Sequence, residues 1–265
     1  MQNQTIQENL ATSLTAETTE LLPFLPYLLQ DFWELGSDPD AMTQLVKNHI
    51  PLSPKIKVLD LACGKGAVSV KIAQQLGVQV KGIDLLPEFI EVAKQKATEH
   101  NVSDLCEFIV GDVTQSIKTE KDYDVVIFGA AGIVLGSPPE MLCSLKTVIK
   151  PGGFILIDEG YRPDDVGQSD VKCNSYQFLT ERQWLALFKE TGLELIETAS
   201  DENNQTSASG DSKAGMAFIT ARANELIEKH PDKRAIFEEY VQGQQDEYDD
   251  IENTIACVTW ILRKL

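Results

Sequence analysis

From residue 55 onward, short β-branched runs alternate with longer stretches whose apolar residues recur at helical spacing. This is the pattern of repeated βαβ units around a parallel sheet. It predicts strands at KIKVLDLA (55–62), VQVKGID (78–84), CEFIVGD (106–112), YDVVIFGA (123–130) and GFILIDE (153–159). Helices are expected around 66–76, 87–100 and 138–149, with Pro87 at one entry and the Lys150-Pro-Gly-Gly153 break after another.

Past the fifth strand the regular alternation loosens. Residues 162–175 are polar and read as a loop at the carboxyl edge of the sheet. Thr180 then caps the helix ERQWLALFKETG, which Gly192 ends, and LELIET (193–198) reads as a sixth strand. Residues 201–215 are small, polar and turn-rich, as in a mobile loop or hinge. Two helices near 214–229 and 232–250 follow, then a last strand in ACVTWILRKL. The fold expected is one α/β, Rossmann-like, doubly wound domain. Its parts are an N-terminal helical segment (1–50), a cofactor-binding core (51–200), a helical insertion (201–252) and a last strand (253–265). The insertion is read as a lid over the ligand crevice, a homodimer contact or a solvated hairpin. Phe24, Tyr27, Phe32 and Trp33 are read mainly as core, with a cap over the substrate as the alternative.

A formal charge of -18 with no compensating basic cluster disfavours nucleic acid and anionic membrane partners. The N-terminus lacks a basic region followed by an apolar one, and Pro23 and Pro26 interrupt the apolar stretch 21–29, so a soluble cytoplasmic protein is expected. Cys63, Cys106, Cys143, Cys173 and Cys257 are scattered without a CxxC pair, and His49, His100 and His230 are scattered too. No metal site is expected from these spacings.

The candidate chemistry lies in VLDLACGKGAVS (58–69), an apolar strand and an acidic residue followed by a small-residue loop that opens a helix. Glycines there allow a ligand close to the backbone, and the helix start offers free N–H groups. Gly64-x-Gly66 alone is a weak signal. Asp84 ends the second strand where a ribose hydroxyl would lie, and Asp112 closes the third on the same sheet edge. Asp60 would repel the pyrophosphate of a dinucleotide, and Ser69 stands where that fingerprint wants glycine. S-adenosylmethionine carries a sulfonium and no phosphate, so Asp60 suits it.

VLDLACGKG, GIDLLPEFIEVAKQKA, VGDV, and DYDVVIFGAAGIVLG with IKPGG resemble the successive motifs of the class I methyltransferases. Within that family they resemble the ubiquinone/menaquinone-biosynthesis-like and related small-molecule enzymes, strongly over about residues 50–160 and weakly elsewhere. The resemblance implies a seven-stranded sheet with an antiparallel last strand and S-adenosylmethionine as cofactor. It implies that Asp60, Ala62, Gly64 and Gly66 cradle the methionine part, with Cys63 a small loop side chain among them. It puts Asp84 and Leu85 at the ribose, Asp112 and Val113 at adenine, and Gly129, Ala130 and Ala131 near the methyl. A small-molecule acceptor follows. The catalytic base stays open among Asp158, Glu159, Tyr161 and Tyr176. The amino-methyltransferase motif is missing at FGAAGIV, only Cys173 would serve arsenite chemistry, and the acidic run 242–252 reads as a solvated helix face. A cofactor-holding protein without turnover and a dinucleotide oxidoreductase are the rival classes.

Overall fold

The computed structural model describes residues 2–51, 53–172, 177–200 and 212–265. In chain order, α1 (Gln2–Ser13), a 3-10 turn (Thr19–Phe24), α2 (Leu25–Leu28) and α3 (Pro39–His49) precede β1 (Lys57–Leu61). Then come α4 (Ala67–Leu76), β2 (Gln79–Asp84), α5 (Pro87–Glu99), β3 (Cys106–Val110), α6 (Val113–Thr119) and β4 (Tyr123–Gly129). The chain continues through α7 (Pro138–Val148), β5 (Ile149–Tyr161), α8 (Glu181–Glu190) and β6 (Leu193–Ser200). Helices α9 (Ser212–Lys229) and α10 (Arg234–Asn253) lead into β7 (Ala256–Lys264).

The strands form one seven-stranded sheet in the order β3-β2-β1-β4-β5-β7-β6. The first five are parallel, and β7 runs antiparallel between β5 and β6. This is the Rossmann-like, mostly parallel sheet expected from the alternating pattern. Because β1 to β4 point the same way, all their following turns open on one edge, with the change of direction in strand order beside β1 and β4.

Strand alternation divides the core. Leu59 and Leu61 pack with Met141, Leu145 and Trp184 on one face, while Val58 packs with Leu45, Ile72 and Ile90 on the other. Asp60 shares the second face, where α4 carries Ser69. The helix signals are realised locally: Pro87 and Pro138 sit in first turns, and Thr180 and Gln183 form a capping box on α8. Two details differ from the periodicity. Helix α6 is too short to show a period, and β5 begins at Ile149 with a bulge opposite Tyr123 rather than at Gly153.

The third apolar cluster joins the N-terminal segment to the insertion, through Leu21, Leu25 and Leu28 against Ile219, Leu226, Phe237 and Tyr240. The insertion is therefore not a solvated hairpin. Phe24, Tyr27 and Phe32 pack against this cluster, as core residues do, and Phe24 meets Phe237 edge to face at 5.1 Å. Arg222 on α9 pairs with Asp31 at 2.7 Å. Nor is the acidic run 242–252 a plain solvated face: Asp250 is buried and accepts from the backbone N–H of Lys172, and Glu247 accepts from the Thr15 hydroxyl. The correction has a simple cause, since both carboxylates lie on the side of α10 that meets another segment. Of the turn-rich stretch 201–215, residues 201–211 lie outside the described residues, as do Cys173 to Tyr176, and 212–215 form the first turn of α9 rather than a loop. Among the described residues no helix is long and apolar enough to cross a membrane, and no cluster of three metal-ligating side chains occurs.

Candidate functional site

Between Leu61 and Ala67 the chain turns from strand to helix through three left-handed residues, Ala62 (φ 58°), Gly64 (φ 53°) and Gly66 (φ 74°). Ala62 is strained, because a Cβ disfavours this region. Within the turn, Gly66 N–H donates to the Cys63 carbonyl at 2.9 Å. Cys63 N–H donates to the Ile83 carbonyl at 3.1 Å, which ties this turn to the end of β2.

Asp84 completes the tie. Its Oδ2 accepts from Gly64 N–H at 2.8 Å and its Oδ1 from Leu86 N–H at 3.0 Å. Each carboxylate oxygen can accept a second hydrogen bond, so the group can still receive two hydroxyl donors. It is 7% exposed. Burial pushes its carboxyl above the usual range, opposed by the N–H bonds from Leu86 and Gly64.

Asp60, 3% exposed, accepts the Ser69 hydroxyl at 2.6 Å. Burial pushes its carboxyl up to about 7, against the Ser69 bond and with help from neighbouring Asp84. Cys63 sits between them, and burial followed by the charges of Asp60 and Asp84 pushes its thiol well up. A thiol held protonated is a poor nucleophile, in keeping with a plain loop side chain. Asp112 lies two residues beyond the end of β3 and caps α6, accepting from Thr114 N–H and Thr114 hydroxyl, each at 2.8 Å.

One cleft collects these residues. Asp60, Ala62, Cys63 and Gly64 line it from β1, Asp84 and Leu85 from β2, Asp112 and Val113 from β3, and Gly129, Ala130 and Ala131 from β4. Gly66 does not line it. A Cβ there would come within 2.8 Å of Ala93 Cβ and 2.9 Å of Phe108, so this glycine serves the packing of α4 on its neighbours. At β4, Gly129 lies against Ser37, whose Oγ would be 2.4 Å from an added Cβ, and Ala130 is again left-handed (φ 49°).

Sequence pattern alone did not show the other contributors. Ile6, Leu10 and Ser13 of α1 and Leu14 just after it, with Trp33, Leu35 and Ser37, also line the cleft. Of the four aromatics of this segment, Trp33 lines the cleft, whereas Phe24, Tyr27 and Phe32 pack against the third apolar cluster. Lys65, only 3% exposed, turns inward and donates to the carbonyls of Leu29 and Phe32. Burial lowers its ammonium pKa to about 8. Trp33 Nε1 returns a bond to the Lys65 carbonyl at 3.0 Å, so the loop and the cap segment are latched twice. The one signal in the sequence was a lysine set among small residues.

Of the base candidates, Asp158 accepts the Thr259 hydroxyl at 2.8 Å, Tyr161 stacks on Trp260 at 6.2 Å, and Glu159 is buried on β5. None of these three lines the cleft, and Tyr176 lies outside the described residues.

Comparison with known proteins agrees with this geometry. A family model described as a methyltransferase domain matches residues 52–207. Phosphoethanolamine N-methyltransferase 1 of Triticum aestivum is 26% identical over 201 residues, 74% of this chain and 37% of that protein. A ubiquinone biosynthesis O-methyltransferase of Burkholderia thailandensis is 32% identical over 144 residues, 49% of this chain and 61% of that one. The chain thus spans less than two thirds of the length of either relative. An S-adenosyl-L-homocysteine complex of a SAM-dependent methyltransferase from Geobacter sulfurreducens has the same fold, with a TM-score of 0.73. That likeness covers 91% of this chain and 97% of the other at 22% identity. With more than half its length matched by the family model, and with the strand order and strand-end motifs on one edge, the chain belongs to the class I methyltransferase-domain family.

Proposed function

We propose that the chain binds S-adenosylmethionine in this cleft and passes a methyl group to a small-molecule acceptor. The observation that carries the reading is Asp84, held by Gly64 N–H and Leu86 N–H with acceptor capacity left over, beside a second buried carboxylate at Asp60. A pyrophosphate against the first loop would meet that carboxylate at close range, whereas a sulfonium or ammonium is attracted by it. The left-handed residues Ala62 and Gly64 fold the loop so that it lines the cleft directly beside Asp60 and Asp84.

The cofactor, when bound, supplies a methyl on an already activated sulfur, so alignment with the acceptor does much of the work. In this reading the loop 62–66 orients the amino acid end, Asp84 and Leu85 the ribose, and Asp112 and Val113 the adenine. Gly129 to Ala131, with Ser13 at the end of α1 and Leu14 after it, would then exclude water around the reacting carbon. The acidic charge disfavours nucleic acid as the acceptor. The scattered cysteines, with no CxxC pair, suit a reducing, cytoplasmic setting.

Calorimetric titration with S-adenosylhomocysteine and, separately, with NADH tests the reading. Saturable binding of the former alone is expected. Binding of NADH alone would return the chain to dinucleotide chemistry.

A further inference from the structure

Every ionisable side chain lining the described cleft belongs to the half assigned above to the cofactor: Asp60, Cys63, Lys65, Asp84 and Asp112. Lys65 is already committed, its ammonium donating to the carbonyls of Leu29 and Phe32 and lying 5.4 Å from the Phe89 ring. Beyond Gly129 the wall changes character. It is made of Ala130, Ala131 and Val134, with Leu14 and Ser13 of the N-terminal segment, and Ser13 lies beside Gly132. Its polar groups are the hydroxyls of Ser13, donating to the Leu10 carbonyl, and Ser37, packed against Gly129.

We infer that the acceptor is uncharged at its reacting end and presents an aromatic or hydrocarbon surface to Val134, Ala131 and Leu14. The inference rests on the cofactor assignment, which fixes the end of the cleft left for the acceptor. A phosphate or ammonium entering there would lose its water and find no opposite charge among the described lining residues. An apolar ring or chain gains from the same burial. A neutral hydroxyl or carbonyl can still be hydrogen-bonded by Ser37.

The test uses the full chain saturated with S-adenosylhomocysteine, titrated calorimetrically with para-pentylphenol and with phosphoethanolamine. The phenol is expected to bind saturably and at least about tenfold more tightly than phosphoethanolamine. Val134→Asp should weaken the phenol by about tenfold or more, with S-adenosylhomocysteine affinity kept as evidence that the variant is folded. Equal or tighter binding of phosphoethanolamine, no binding of the phenol, or a Val134→Asp variant that binds it as before would each overturn the inference. Failure of S-adenosylhomocysteine itself to bind is read before either probe is added, and it would instead remove the cofactor assignment.

Discussion

The floor of the cleft and the helical cap over it are built in opposite ways. The floor is assembled from four short segments, 60–64, 84–85, 112–113 and 129–131, each a strand end with the turn that follows it. Parallel strands bring these turns to one edge automatically, so the chemistry is local in sequence. The cap joins residues from the first forty positions to α9 and α10, more than 170 residues away, through an apolar cluster and the Arg222–Asp31 pair. Its contribution to the cleft arises only when those distant segments meet. Buried carboxylates mark the floor, while apolar side chains mark the cap side. The contrast teaches where recognition of a shared ligand and recognition of a particular one can be separated within a single cleft.

Four changes would break or sharpen that contrast. The largest effect is expected at Gly66, where both the left-handed φ and the contacts of an added Cβ with Ala93 and Phe108 oppose a side chain. Gly66→Ala should destabilise the floor by about 2–4 kcal/mol in urea unfolding; a loss below about 0.5 kcal/mol would mean the loop yields easily. Asp84→Ala comes next, with S-adenosylhomocysteine binding weakened by about 1–3 kcal/mol as charge-assisted bonds are lost. Unchanged affinity in the folded variant would sink the ribose assignment.

Lys65→Met probes the latch between floor and cap. It strips the carbonyls of Leu29 and Phe32 of a donor, and about 1–2 kcal/mol of stability should go with it. Limited proteolysis should then cut sooner around residues 14–37 than in the sheet. Equal rates at both places would separate the lysine from the cap.

The smallest effect is the pH dependence that Asp60 imposes. Its folded carboxyl is raised to about 7, far above that of an unfolded chain, so without ligand its contribution to stability is fully present at low pH and is lost as pH rises through about 7. Asp84 is shifted in the same direction and adds the same sign. A cationic ligand beside Asp60 favours the ionised form, so S-adenosylmethionine should bind severalfold more tightly at about pH 8 than at about pH 6. Calorimetry at the two values checks it, and tighter binding at the lower pH would contradict the placement of Asp60.

The same contrast governs what could be read from residues alone. Strands from VLDLA to WILRK were legible because their alternation and their turn glycines are local, and so were Asp60, Asp84 and Asp112 at their ends. Gly66 was legible as a glycine but not as a packing residue, since Ala93 and Phe108 come from α5 and β3. The inward turn of Lys65 was hidden because its partners lie 33 and 36 residues away and are backbone carbonyls, which have no sequence signature. The hydroxyl of Ser69 was noted as the absence of a glycine, whereas its bond to Asp60 needs strand and helix to face each other. Residues Ile6 to Ser13 look like an ordinary weakly amphipathic helix until the fold lays them along the cleft.

A crystal structure of the chain grown with S-adenosylhomocysteine tests the central claim most directly. The account predicts both ribose hydroxyls on the Asp84 carboxylate, the amino acid end over residues 62–66, and adenine beside Asp112 and Val113. A ligand bound elsewhere, or bound in the cleft with Asp84 untouched, would contradict it.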